Sequence, residues 1–270
     1  MIRQPLRIAT LTFVVPMLLT IGAGQVRAEN VEQTVGHGEI NWTEKTVTVT
    51  GSGAPSLKAP NVAVARLNAE RAAKLDALRN IVEAVKGVRV SGTKSAGDAM
   101  KDSAKVQSEV EGIVKKFKVL DTKYFSDGGV DVIVQVDLDG VLTETLVPDA
   151  GTSVKSAPPS PDVTGIVVNA QGVNLTPAIA PEIVDESGTR LYHAGAVDRE
   201  AVMKHGVISY NKSLASAMKD SRVGSKPLVI RALKADGAGG SNLIISSADA
   251  GKLAQANHAL AMGKVIIVTD

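Results

Sequence analysis

The stretch Thr46-Val47-Thr48-Val49-Thr50-Gly51-Ser52-Gly53, followed by residues 61–87 (NVAVARLNAERAAKLDALRNIVEAVKG), decides the first half of the fold. The first part alternates β-branched and polar residues with period two, the pattern of a half-buried strand. Gly51-Ser52-Gly53 reads as the turn that ends it. Asn61 is placed to cap a long helix over 61–86, with Gly87 as its stop. At 100° per residue, Val64, Leu67, Leu75, Leu78, Val82 and Val85 share one face of that helix, which is therefore the expected core face. Arg71 falls in the middle of this face. Two readings of it remain open: its stem packs while the guanidinium reaches the rim, or it forms a partly buried ion pair with Asp131 or Asp137.

Working outward, Val88-Arg89-Val90 suggests a short strand and Ser103 a second capped helix ending near Gly112. A hairpin over 113–138 turns on Asp127-Gly128-Gly129. Residues 148–162 (PDAGTSVKSAPPSPD) are rich in Pro, Ser, Gly and Ala and read as a semi-rigid linker. Beyond it, strands are expected at 165–169, 228–233, 243–246 and 265–268, a hairpin at 183–192, and helices after Asn211 and Ser247. The expected fold class is α+β. It consists of two small two-layer domains, with helices packed on mainly antiparallel sheets, at 45–147 and 163–270.

Residues 1–28 read as a secretory signal peptide: Arg3 and Arg7, an apolar run from Ile8 to Ile21, and Val26-Arg27-Ala28 before a cut between Ala28 and Glu29. The run is too short to span a membrane and contains Pro16. Residues 29–44 read as an N-terminal tail. Cleavage removes three arginines and no acid, taking the formal charge of the 270-residue chain from +2 to −1. With no dense basic run, nucleic acid and anionic lipid are poor partners. The absence of cysteine excludes disulfides, thiolate metal sites and a lipidated N-terminal cysteine. Only seven aromatic residues occur, too few for a stacking surface that grips sugars or single strands.

Val136-Asp137-Leu138-Asp139-Gly140-Val141 matches the first motif of haloacid-dehalogenase-like phosphatases, in which the first Asp attacks phosphorus and the second is the acid/base. Two carboxylates at i and i+2 also suit Mg²⁺. The surrounding pattern opposes that chemistry. Asp131, Ile133, Gln135 and Asp137 alternate with Val132, Val134 and Val136, as in an exposed antiparallel arm rather than a buried parallel strand. His37, His193, His205 and His258 share no ligand spacing. No cofactor, metal or catalytic residue is expected.

Val47-Thr48-Val49-Thr50-Gly51-Ser52-Gly53, Ala69-Glu70-Arg71-Ala72-Ala73-Lys74-Leu75-Asp76-Ala77-Leu78-Arg79-Asn80 and Gly87-Val88-Arg89-Val90 together resemble the small outer-membrane lipoprotein family (Lpp-twenty) and the N-terminal domain of flagellar assembly protein T. The resemblance covers about residues 45–140. It implies a two-layer α/β domain, a bacterial cell-envelope protein and no known catalytic residues. From the residue pattern itself, Arg71, Gly51, Gly53 and Gly87 are the structural or interaction candidates. The expected function is assembly or scaffolding with envelope or flagellar proteins, in the periplasm and without a lipid anchor. The alternatives are a secreted Mg²⁺-dependent phosphatase using Asp137 and Asp139, and a periplasmic small-ligand-binding protein, which a polar pocket between the domains would favour.

Overall fold

A computed structural model describes residues 30–154, 158, 162–237 and 239–270. The expected signal segment and its cleavage site lie outside the described residues, as does most of the proline-rich part of the linker. The chain is α+β, with two sheets and helices packed against them.

The first sheet has strand order β1-β2-β3-β5-β4 and every pairing is antiparallel. Its strands are β1 (Glu32–Val35), β2 (Gly38–Asn41), β3 (Thr46–Gly53), β4 (Lys118–Tyr124) and β5 (Val130–Asp137). The expected tail is thus largely a hairpin that extends the sheet. Its short polar strands give little periodic signal. The expected β4–β5 turn is present, with the Phe125 amide donating to the Gly129 carbonyl over 3.0 Å and Gly128 at φ +88°.

Helix α1 (Val62–Gly87) starts as expected, the Asn61 side chain accepting from the Val64 amide at 2.9 Å. Its seated face matches the expected one only towards the C-terminal end, where Val85 is buried and Leu78 and Val82 pack against the core. Ala69, Ala73, Ala77, Ile81 and Ala84 are buried, while Leu67 and Leu75 are 47% and 63% exposed. The cause lies on β3. Gly51 and Gly53 belong to the strand rather than to a turn, and they lie directly under the helix. A Cβ on Gly51 would sit 2.1 Å from the Ala77 amide nitrogen, and one on Gly53 2.0 Å from the Ala69 carbonyl oxygen. At that separation only alanine fits between helix and strand. β2 pairs with β3 only from Thr46 to Val49. Beyond it, Asn80 Nδ2 donates to the Thr50 carbonyl (2.9 Å) and Asp76 accepts from the Ser52 amide (3.0 Å). The helix therefore replaces the missing strand along this edge. Gly87 does not act as a left-handed stop. It is the last residue of α1, and a Cβ there would meet Val35 of β1 at 2.2 Å.

Helices α2 (Ala96–Asp102) and α3 (Ala104–Val114) follow, the latter capped by Ser103 as expected and continuing through Gly112. Residues 88–90 form only an isolated bridge, between Arg89 and Ser95, rather than a strand. Helix α4 (Val141–Leu146) closes the first half.

The second sheet has order β8-β7-β11-β10-β6-β12-β9. Its strands are β6 (Gly165–Asn169), β7 (Ile183–Asp185), β8 (Arg190–Tyr192), β9 (Ser209–Asn211), β10 (Pro227–Asp236), β11 (Asn242–Ile245) and β12 (Val265–Val268). Here the expected antiparallel arrangement fails: β9, β12, β6 and β10 run parallel, as do β11 and β7. Helices α5 (Arg199–His205), α6 (Leu214–Ala217), α7 (Ser247–Leu253) and α8 (Asn257–Ala261) pack around it. Central β12 is buried at every residue, as a parallel strand covered on both faces must be.

Substitution of the two kinds of glycine tests the close approach. Gly51→Ala should cost more than about 3 kcal/mol, by overpacking against backbone that cannot move aside. A Cβ on Gly112 would meet nothing within 4 Å, so Gly112→Ala should gain about 0.5–1 kcal/mol from helix propensity. Urea titration of both variants measures the difference.

Candidate functional site

The two sheets share one hydrophobic core that runs through Trp42, Leu138, Leu142, Ile179, Val207, Ile208 and Tyr210. Trp42 meets Tyr210 edge-on, with centroids 5.7 Å apart at 71°. Backbone bonds also cross the seam, from Ile179 N to Arg89 O (2.9 Å) and from Ala180 N to Val90 O (2.8 Å). The linker therefore joins domains whose cores are continuous.

Among the clefts that open along this seam, two differ in how their charges are paired. One, of about 410 Å³, contains Lys94, Asp102, Glu182, Arg190 and His193. Its two basic side chains are paired, Lys94 with Asp102 at 2.7 Å and Arg190 with Glu182 at 3.3 Å, and Asp149 adds a further carboxylate. The other, of about 360 Å³, is lined by Glu44, Lys45, Asp139, Lys204, His205, Ser209, Arg222 and Lys264. Among the described residues, none of its lysines, nor Arg222, forms an ion pair with a carboxylate.

Lys45 enters this second cleft from the turn between β2 and β3. Its backbone is left-handed, at φ +56°, an uncommon state for a residue with a Cβ. The conformation is held from both sides: the Asn41 side chain accepts from the Glu44 amide (2.9 Å), and the Lys45 carbonyl accepts from Leu138 N just past β5 (2.7 Å). Its ammonium crosses the seam and donates to the His205 carbonyl. Burial, and then the Arg222 charge, bring the Lys45 pKa down to about 7 against the opposing pull of Asp139 and Asp220.

Arg222 supports the far wall. Nε donates to Gly263 O (2.9 Å), Nη2 to Gly206 O (2.9 Å), and Nη1 to Ser209 Oγ (3.0 Å) and the His205 carbonyl. One guanidinium thus organises the loop after α5, the start of β9 and the turn before β12. Burial pushes its pKa below the usual arginine range. His205 is also held low, by partial burial and then by Arg222, Lys204, Lys45 and Lys264.

The structure disperses the residues singled out in the sequence. Arg71 is exposed on the outer face of α1 and pairs with neither Asp131 nor Asp137. Asp131 instead accepts from Ser52 Oγ at 2.7 Å, and Asp137 pairs with Lys118 at 2.8 Å. The misplacement follows from choosing the leucine face of α1 as its core face. Gly51, Gly53 and Gly87 act through packing. Of the two motif aspartates, Asp139 lines the cationic cleft while Asp137 ends β5 on the open sheet face, with antiparallel neighbours on both sides. Among the described residues no three His, Asp or Glu side chains converge as metal ligands. Lys45 and Arg222 carried no motif. Their importance arises from a left-handed turn and a loop contact, neither of which has a periodic signature.

Residues 165–270 match the family model described as Treponema pallidum Tp0624, second domain. The similarity begins at the first residue of β6 and covers the whole second sheet. No curated protein matches the chain.

Because the Lys45 pKa is lower folded than unfolded, the unfolded chain binds the extra proton between about pH 7 and 10. The cost of burying the cation is complete below pH 7 and is relieved as pH rises. Stability of the native chain should therefore climb from pH 7 to 9 relative to Lys45→Met, whose profile is flatter. Arg222→Met strands several carbonyls and should cost about 3 kcal/mol or more. Thermal unfolding across pH reads both effects.

Proposed function

We propose that this chain is an exported, non-enzymatic protein of the bacterial cell envelope that works in assembly or scaffolding through protein–protein contacts. The observation that carries this reading is the surface left by the seating of α1. Leu67, Leu75 and Val62 face outward from the helix. Edge strand β4 is exposed along most of its length, and Val119, Leu120, Tyr124 and the following Phe125 are all exposed. Tyr124 ties the two elements together: its hydroxyl donates to Glu70 at 3.1 Å, and Arg66 lies 5.5 Å from its ring centroid. Apolar residues beside an unpaired edge suit a protein partner. A bulge near Leu120, with Lys118 and Lys123, discourages indiscriminate pairing. The resemblance of residues 45–140 to envelope lipoproteins and a flagellar assembly protein supports the same setting. Among the described residues no helix is long and apolar enough to cross a membrane.

A second reading, a periplasmic small-ligand-binding protein, is favoured by the polar cleft that Lys45, Asp139 and Arg222 line between the two sheets. The phosphatase reading is weakened by the antiparallel setting of β5 and the ion pair that occupies Asp137.

Complementation separates these readings. Material recovered from the periplasm should begin at Glu29. A strain lacking the gene should show an envelope or motility defect that Asp137→Asn corrects. The double variant Leu67→Glu/Leu75→Glu should fail to correct it while unfolding within about 0.5 kcal/mol of the native chain, as exposed substitutions do. Full correction by the double variant would remove the proposed surface. Phosphomonoester hydrolysis with Mg²⁺ that is lost in Asp137→Asn would replace assembly with catalysis.

A further inference from the structure

The second cleft is electrostatically incomplete. Four formal cations, Lys45, Lys204, Arg222 and Lys264, face it with His205, against the carboxylates of Glu44 and Asp139. The first cleft, along the same seam, has both of its basic side chains paired with carboxylates within 4 Å and carries Asp149 besides, whereas the cations of this one have no such pairs among the described residues. One of its cations, the half-buried Arg222, is held in place by carbonyls and a hydroxyl. Such contacts fix the guanidinium without neutralising it. Lys45 is aimed at the same space by a left-handed backbone that the fold holds from two sides. Strain retained at a cleft-lining residue is a mark of a functional position. Like charges gathered in a partly dry cleft repel unless an anion joins them.

We propose that this cleft binds a tetrahedral oxyanion group, phosphate or sulfate, with Lys45, Lys204 and Lys264 as its ligands over the half-buried charge of Arg222. The cleft is open enough to admit either a free oxyanion or one carried on a small ester. A second feature follows from the positions of the charges. Lys45 is faced by Arg222, Asp139 and Asp220, and the cleft adds Glu44, Lys204, His205 and Lys264. An anion seated among them favours the charged form of Lys45, so binding takes up a proton near neutral pH, where the empty site holds this amine only partly protonated. Affinity should fall as pH rises from 7 to 9. The proposal stands apart from the assembly reading, because its readout is ligand binding to the purified chain and not complementation.

Titration calorimetry with sodium sulfate tests it, since sulfate does not itself titrate in this range. The purified chain should bind sulfate saturably at millimolar concentrations, with chloride at equal ionic strength failing to compete. Heats in buffers of different ionisation enthalpy should reveal proton uptake at pH 7.5, retained in His205→Gln and lost in Lys45→Met. Lys204→Met, a change at an exposed side chain, should weaken binding about fivefold. Lys45→Met should weaken it about tenfold or more. Asp139→Asn, which removes an opposing carboxylate, should tighten it. Inorganic phosphate against glycerol 3-phosphate then distinguishes a free ion from an ester. Absence of saturable sulfate and phosphate binding would overturn the proposal. So would an affinity unchanged in both Lys45→Met and Lys204→Met.

Discussion

Helix α1 rests on β3 with no side chain between them at Gly51 and Gly53, and most of the first half is arranged around that separation. A strand that presents bare backbone draws the helix in until alanine is the largest residue that fits at Ala69, Ala73 and Ala77. At that distance the polar side chains of Asp76 and Asn80 reach the strand backbone, so packing and hydrogen bonding act together. The larger apolar side chains, Leu67 and Leu75, are displaced to the outside. The same close fit thus builds a core from small residues and leaves an apolar surface available to a partner.

The seam between the sheets depends on different interactions. The first sheet supplies Trp42 and Lys45 from the turn after β2, and the second supplies Tyr210 and the Arg222-bound loops. Apolar contact and cross-seam backbone bonds hold the halves, while charge collects at the margin in two clefts of opposite character. In one, each basic side chain is paired with a carboxylate. In the other, cations converge, and burial, followed by the repulsion of neighbouring cations, lowers the basicity of Lys45 and His205. Fixing a cation beside backbone carbonyls keeps its charge available, and this distinguishes the second cleft from a structural ion-pair network.

Much of the secondary structure could be read from residue order. The Asn61 cap, the Ser103 cap, the glycine turn before β5 and the apolar strands β6 and β12 all announce themselves locally. Face and register did not. On α1 the hydrophobic period selected the leucine stripe, because periodicity weighs size and greasiness while the strand beneath selects for smallness. The small residues at 69, 73 and 77, read together with Gly51 and Gly53, held the missing clue. In the second half, Ile166-Val167-Val168 and Val265-Ile266-Ile267-Val268 lack alternation, the signature of strands covered on both faces, and so pointed to the parallel core. The cationic cleft was hidden for another reason. It assembles from Lys45, Asp139, Arg222 and Lys264, which are distant in sequence and brought together only by the packing of one sheet on the other.

The seating of α1 on its alanine face can be measured directly, because the chain contains no cysteine and a single introduced thiol reports without background. Thiol labelling under native conditions should modify Leu75→Cys at nearly the rate of an unstructured peptide. Ala73→Cys, two residues away and on the opposite side of the helix, should react only as fast as the domain unfolds. Protection at position 75 with free reaction at position 73 would contradict the account, since the leucine face would then be the one packed against β3.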